Sequence, residues 1–96
     1  MVYDVEEIKE LLTPVFVQYG TKSAVLFGSY ARGTANEKSD VDILVDSGLI
    51  GLNFFGLVDY IQQTLNKEVD VFDIKEVKRE SKVAVEIKNT GIKIYG

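Results

Sequence analysis

The 96-residue sequence has no cysteine and no histidine, and these two absences exclude several kinds of site. Without cysteine the chain cannot form a disulfide framework or a thiolate metal site. Without histidine, both the Ser-His-Asp arrangement of hydrolases and histidine-bound zinc are excluded. Any metal must therefore be held by oxygen ligands, which favours magnesium or manganese.

Long apolar runs and an excess of positive charge are also absent. No run approaches the roughly 20 apolar residues that cross a bilayer, and the acidic N-terminal stretch MVYDVEEIKE is unlike a signal peptide. We therefore expect a cytoplasmic protein with no membrane contact. The net charge of −4 disfavours direct nucleic-acid binding and suits a basic protein partner.

What the sequence does contain, 46% hydrophobic residues in periodic patterns, predicts a single folded domain over residues 1–96. The alternation of helical and strand patterns indicates an α+β (mixed α/β) fold, with a small mixed sheet of about four strands and helices mainly on one face. The predicted helices cover 4–19, 28–34 (in part), 53–65 and 76–88, and the predicted strands cover 23–27, 40–45, 68–72 and 92–95.

Three local features qualify these predicted helices. Pro14, the only proline, is expected to kink the first helix or to start a new turn, because it lacks an N–H donor. Phe54 and Phe55 are adjacent, so they cannot both lie at the centre of one buried stripe, and one of them is expected to face a partner surface. The charged run 75–82 is interpreted as a solvated helix face.

The stretch from Val25 to Asp46 carries the strongest functional signal. Gly28-Ser29 follows a predicted strand and precedes a short helix, where backbone N–H groups and a serine hydroxyl can bind phosphate. The Walker A pattern is absent, and taken alone an ordinary Gly-Ser turn is the commoner explanation.

Asp40 and Asp42 alternate along the second predicted strand, so both side chains are expected on one face. Two carboxylates about 4 Å apart repel by roughly 1 kcal/mol in water and roughly 4 kcal/mol at an effective dielectric constant near 20. A divalent cation would relieve this repulsion, although taken alone a solvated strand edge is the commoner explanation of such a pair.

Asp70 is the favoured third carboxylate, provided that its strand lies beside the strand of Asp42. Two metal ions held by such a set would stabilise an in-line phosphoryl displacement, and Asp70 could accept the proton of an attacking hydroxyl. Glu68 and Asp73 are the competing choices for this third position.

Arg32 lies one helical turn beyond the Gly-Ser pair, and two interpretations of it stay open. It could bind a triphosphate, or it could form an ion pair with a nearby acid such as Asp40 or Asp42. Tyr30, Tyr60 and Tyr95 are interpreted as half-buried packing residues rather than as base-stacking or self-modified side chains.

These residues support a family resemblance. Gly28-Ser29, followed after ten residues by Asp40-Val41-Asp42, resembles the signature of the polymerase-beta-type nucleotidyltransferases. The longer string GSYARGTANEKSDVDILV resembles the minimal nucleotidyltransferase (MNT) domain, and the similarity extends over nearly the whole chain.

The resemblance implies a nucleotidyltransferase fold and a site for two magnesium ions. It also implies a nucleoside triphosphate substrate, usually ATP. By the same resemblance, Gly28 and Ser29 hold the triphosphate, Asp40 and Asp42 bind metal, and Asp70 completes the carboxylate triad.

The resemblance also implies a partner. Small MNT proteins commonly act as antitoxins of HEPN-domain toxins, which are helical ribonucleases, by transferring AMP from ATP to a toxin tyrosine. We expect no acceptor domain in this chain, and therefore a hetero-oligomer in which the toxin presents the acceptor. The alternatives are a non-catalytic antitoxin that acts by contact alone and, less favoured, transfer of a nucleotide to an antibiotic.

Overall fold

The fold is built around a four-stranded mixed sheet. The computed structural model describes residues 2–96. The strands of the sheet lie in the order β3-β2-β1-β4. Strand β1 pairs antiparallel with β2 and β4, whereas β2 and β3 run parallel. The bounds are β1 Ser23–Phe27, β2 Val41–Asp46, β3 Val69–Asp73 and β4 Ile92–Tyr95. The predicted sheet is confirmed, with β2 and β3 each beginning and ending one residue later than expected.

Four helices and one 3-10 turn complete the chain: α1 Val5–Gln18, α2 Ser29–Arg32, α3 Gly51–Leu65, the turn Ile74–Glu76 and α4 Lys82–Thr90. Parallel strands need a crossover connection, and α3 supplies it between β2 and β3. The longest of these helices, α3, has 15 residues, and no helix within residues 2–96 is both long and apolar enough to cross a membrane.

Helix α1 begins at a capping box. The Glu7 N–H donates to the Asp4 carboxylate at 2.8 Å, and the Asp4 N–H donates to the Glu7 carboxylate at 3.0 Å. The helix then runs through Pro14 as far as Gln18, so the expectation that a new turn starts at Pro14 is wrong. Pro14 lies on the exposed side of the helix, where water can solvate the carbonyl of Glu10 that loses its helical donor.

The main core lies between one face of the sheet and the helices α1 and α3. Alternate strand residues point to this face, and the apolar stripe of each helix packs against them. Its largest fully buried members are Ile8, Leu12, Phe16, Leu26, Val41, Ile43, Val45, Leu57, Ile61, Leu65 and Ile94. The expectation of helices mainly on one face is therefore confirmed.

Helix α4 occupies the opposite face of the sheet. Gly91 at its C-terminus lies against Val25, because an added Cβ there would be 3.0 Å from Val25 Cγ1, and Val25 alternates with the core-facing Leu26. Every residue of α4 is at least partly exposed, so this helix is only lightly packed.

The predicted start of α4 is wrong by several residues. Asp73 accepts a hydrogen bond from the Lys75 N–H at 3.0 Å and caps the 3-10 turn, while Ser81 accepts from the Ala84 N–H at 3.2 Å and begins α4. Two successive caps thus divide what the hydrophobic pattern suggested was one helix. Apart from Lys82, which begins α4, the run 75–82 is consequently turn and loop rather than a helix face.

The predicted division between Phe54 and Phe55 is confirmed, and the three tyrosines are packing residues, although Tyr30 is buried rather than half-buried. Phe54 is half-buried, whereas Phe55 is 66% exposed. Tyr30 is 4% exposed, and Tyr95 packs against Phe16 with ring centroids 5.4 Å apart. Tyr60 packs edge-on against Tyr19 at 6.0 Å.

A matched pair of substitutions within α3 tests this core. Leu57 is 0% exposed and Leu52 is 87% exposed. We expect Leu57→Ala to lower the free energy of unfolding by about 2–5 kcal/mol, because it leaves a cavity. Leu52→Ala should change it by less than about 0.5 kcal/mol. Urea unfolding followed by circular dichroism would measure both, and equal losses would contradict the assigned orientation of α3.

Candidate active site

Two carboxylates from neighbouring parallel strands meet at one end of the sheet. The β2–β3 register pairs Asp42 directly with Asp70, which confirms the condition on which Asp70 was favoured. Strands in a sheet lie about 4.8 Å apart, so the two side chains are immediate neighbours on the same face. Asp40 precedes β2 and is exposed, so it lies outside the strand pairing.

The surroundings of Asp42 disfavour its ionised form. Burial raises the pKa of Asp42 from 3.8 to about 6, with further contributions from the charge of Asp70, the charge of Glu86, a hydrogen bond with Asp70 and the charge of Asp40. Several like charges thus act on one half-buried carboxyl. Such a group is stabilised by a proton at low pH or by a cation at neutral pH.

The chemistry of these side chains suits magnesium, because all are carboxylate oxygen donors. Within residues 2–96, however, no three acidic side chains are already spaced to hold one metal ion. Asp42 and Asp70 are brought together, and Asp40 acts on Asp42 more weakly than either Asp70 or Glu86. The metal-binding roles of the three aspartates stay predictions.

The Gly-Ser turn lies directly against Asp42. Gly28 has φ +76° and ψ −157°, a backbone conformation that is essentially restricted to glycine. A Cβ at this position would lie 2.2 Å from Asp42 Oδ2, so the approach also requires the missing side chain. Ser29 follows as the first residue of α2. The fold therefore brings the proposed phosphate-binding turn and the acidic pair to one place.

Arg32 forms an ion pair with a nearby acid, as one of its two interpretations predicted. Its Nη1 pairs with the carboxylate of Glu86 on α4, so pairing with a nearby acid is confirmed, although the acid is neither Asp40 nor Asp42. The two side chains are 44% and 35% exposed, and ion pairs this accessible contribute only about 0–1 kcal/mol to stability.

Glu86 is the residue near the site that the sequence did not single out. It is one of several acids in a charged helix, and only the docking of α4 on the face that carries Asp42 brings it close. The local pattern contained no signal for this tertiary contact.

The two competitors of Asp70 lie elsewhere. Asp73 pairs in register with Val45, three residues beyond Asp42, and caps the 3-10 turn. Glu68 precedes β3 and lines a shallow cleft with Lys67 beside α3. Neither contributes to the raised pKa of Asp42, which favours Asp70 as the third carboxylate.

A mixed sheet that joins a glycine–serine turn to an aspartate pair on neighbouring strands is the arrangement of a nucleotidyltransferase domain. The family model described as polymerase beta, nucleotidyltransferase matches residues 6–96. The chain therefore belongs to the polymerase beta nucleotidyltransferase family.

Individual relatives agree with this assignment. A candidate protein adenylyltransferase of Methanocaldococcus jannaschii is 39% identical over 77 residues, covering 77% of this chain and 82% of that protein. The protein adenylyltransferase MntA of Thermococcus cleftensis is 42% identical over 72 residues, covering 69% of this chain and 73% of that protein. A crystal structure described as a toxin–antitoxin with AMP-PNP matches with a TM-score of 0.78 at 22% identity, over 92% of this chain and 73% of that chain. This last likeness is one of fold.

Two glycines with positive φ provide a test of the turn. Gly28→Ala would adopt a disfavoured backbone conformation and also displace Asp42, whereas Gly33, at φ +77°, has nothing within 4 Å of an added Cβ. We expect Gly33→Ala to lose about 1–2 kcal/mol of unfolding free energy. Gly28→Ala should lose at least about 1 kcal/mol more. Equal losses in urea unfolding would contradict the close contact between Gly28 and Asp42.

The pKa of Asp42 predicts a pH dependence of stability in metal-free buffer. Because this pKa is about 6 in the folded chain and 3.8 ordinarily, the folded state binds more protons between these values. The free energy of unfolding should therefore fall as the pH rises from 4 to 7. Asp42→Asn should remove this loss and be more stable at pH 7 by about 1 kcal/mol, a value reduced for solvent screening.

Urea unfolding in the presence of a chelator, repeated from pH 4 to pH 7.5, would measure this dependence. Asp70→Asn serves as the control, because it keeps Asp42 but removes a neighbouring charge, and it should weaken the pH dependence. A wild-type slope retained in Asp42→Asn would show that another group is responsible.

Proposed function

We propose that this protein transfers AMP from ATP to a hydroxyl of a partner protein, namely a tyrosine of a cognate HEPN ribonuclease toxin, and thereby acts as an antitoxin. The observation that carries the proposal is the contact of the Gly28 backbone with Asp42, whose strand neighbour in register is Asp70. It sets a phosphate-binding turn beside a carboxylate pair suited to a divalent cation. The relatives named protein adenylyltransferase support the reaction class.

The proposed chemistry assigns a role to each side of this contact. Gly28 and Ser29 hold the triphosphate through backbone N–H groups and the serine hydroxyl. Asp70 accepts the proton of the acceptor hydroxyl as its oxygen forms a bond to the α-phosphorus of ATP. The bond from that phosphorus to the bridging oxygen breaks, and pyrophosphate leaves.

Asp40, Asp42 and Asp70 would hold magnesium, in a two-ion site. When bound, magnesium would supply charge neutralisation to the triphosphate and to the departing pyrophosphate. With a pKa of about 6, Asp42 is mostly ionised at pH 7 and available as an oxygen ligand.

An exposed apolar surface at the start of α3 supports a protein partner. Ile50, Leu52 and Phe55 are 75%, 87% and 66% exposed. Neighbouring apolar side chains with this exposure are typical of surfaces that bind other proteins. The negative net charge of the chain favours a partner with a basic surface.

Incubation with radiolabelled ATP, magnesium and the purified toxin would test the proposal. We expect label to enter the toxin, and Asp42→Asn and Asp70→Asn to lower the rate by about 100-fold or more. Glu68→Gln and Asp73→Asn are the matched controls and should keep most of the rate. A lower rate with either control variant than with Asp70→Asn would move the third carboxylate away from Asp70.

The same variants separate catalysis from neutralisation by contact. Under the proposal, Asp42→Asn still binds the toxin but no longer suppresses its ribonuclease activity after the complex is diluted apart. Suppression without transfer of label, retained fully in Asp42→Asn, would contradict the enzymatic proposal.

A further inference from the structure

The ion pair between Arg32 and Glu86 joins the turn that bears Gly28 to helix α4. We infer that Glu86 is a positioning residue that competes with the phosphates of ATP for Arg32, holding the guanidinium while the site is empty and regaining it when pyrophosphate leaves. The inference rests on the proposed function in taking ATP as the ligand.

The position of Arg32 supports this role. Its backbone N–H donates to the Gly28 carbonyl at 3.1 Å, so the arginine belongs to the same turn of chain as the Gly28-Ser29 pair. Its side chain is nevertheless held from outside that turn, by the Glu86 carboxylate on α4. Breaking the ion pair with Glu86 would free Arg32, the only charged side chain of α2.

The position of Glu86 places the ion pair at the edge of the site. Glu86 is among the charges that act on Asp42, which lies against the Gly28 backbone. A phosphate group bound at the turn would thus approach both members of the ion pair, attracted by Arg32 and repelled by Glu86.

The chemistry of exchange favours the nucleotide. A guanidinium binds phosphate oxygens with a planar fork of donors, and a triphosphate carries more charge than one carboxylate. Because both side chains of the pair are partly exposed, their mutual attraction is screened by water and is readily replaced. When pyrophosphate leaves, the ion pair between Arg32 and Glu86 forms again.

A double-mutant cycle tests the competition by binding rather than by activity. The dissociation constant of AMP-PNP, a non-transferring ATP analogue, would be measured by calorimetry with magnesium at fixed ionic strength. The proteins are the wild type, Glu86→Gln, Arg32→Gln and the double variant. Glu10→Gln, an exposed charge change on α1 at the opposite face of the sheet, is the control.

We expect Glu86→Gln to bind AMP-PNP about fivefold more tightly than the wild type, since it removes the competitor of the phosphates. In the Arg32→Gln background the same substitution should change affinity by less than about twofold. Glu10→Gln should match the wild type.

Equal tightening in both backgrounds would overturn the inference, because Glu86 would then act on the nucleotide by its charge alone. Unchanged or weaker affinity in Glu86→Gln would overturn it as well. If the wild type binds no AMP-PNP, the proposed function fails together with the inference, and this outcome is distinct from normal binding with no coupling in the cycle.

Discussion

Two aspartates facing each other across a parallel strand pair impose the main electrostatic constraint on this structure. Asp42 and Asp70 are in register, so their separation is fixed by the spacing of the strands rather than by flexible side chains. Asp42 is half-buried and Asp70 is exposed. The burial of Asp42 and then the neighbouring charge of Asp70 raise the pKa of Asp42, so its ionised form is disfavoured. The arrangement persists because the remainder of the sheet is stabilised independently of it.

That stabilisation comes from the opposite face of the sheet. The main core packs α1 and α3 against strand residues that alternate with the acidic ones, so a single strand such as β2 serves both purposes. Val41, Ile43 and Val45 are buried in the core, while Asp42 points the other way. Apolar packing of this kind contributes about 1.5–3 kcal/mol for each large side chain, which can offset a strained carboxylate pair.

Local features of the site could be predicted from the sequence, whereas tertiary ones could not. Strand β1, the Gly28-Ser29 turn and the short α2 follow from residue types in direct succession, and the structure has them where they were expected. Asp70 could be favoured only on condition that β3 pairs with β2, because a sequence pattern does not specify which strands are neighbours. Glu86 could not be found, since its role depends on the docking of a helix with no fully buried residue between Lys82 and Thr90.

Errors in the predicted elements have equally local causes. The hydrophobic pattern of 76–88 is typical of one helix, but the side chains of Asp73 and Ser81 cap two separate elements within it. Hydrophobic periodicity indicates which residues face the core. It does not show where one helix ends and another element begins. Proline is typical of a kink or of a new turn, but the exposed position of Pro14 allows water to replace the lost hydrogen bond, so α1 continues to Gln18.

The strand order has a consequence for the mobility of the site. Asp42 stands on an interior strand that is hydrogen-bonded on both sides, whereas Asp70 stands on β3, at the edge of the sheet. Backbone amides of edge strands open more readily than those of interior strands, so hydrogen exchange should be slower around Asp42 than around Asp70. The acidic pair therefore combines Asp42 on a rigid interior strand with Asp70 on a more mobile edge strand. Small backbone shifts on binding a nucleotide should therefore occur mainly in β3, whereas β2 and Asp42 should stay in place.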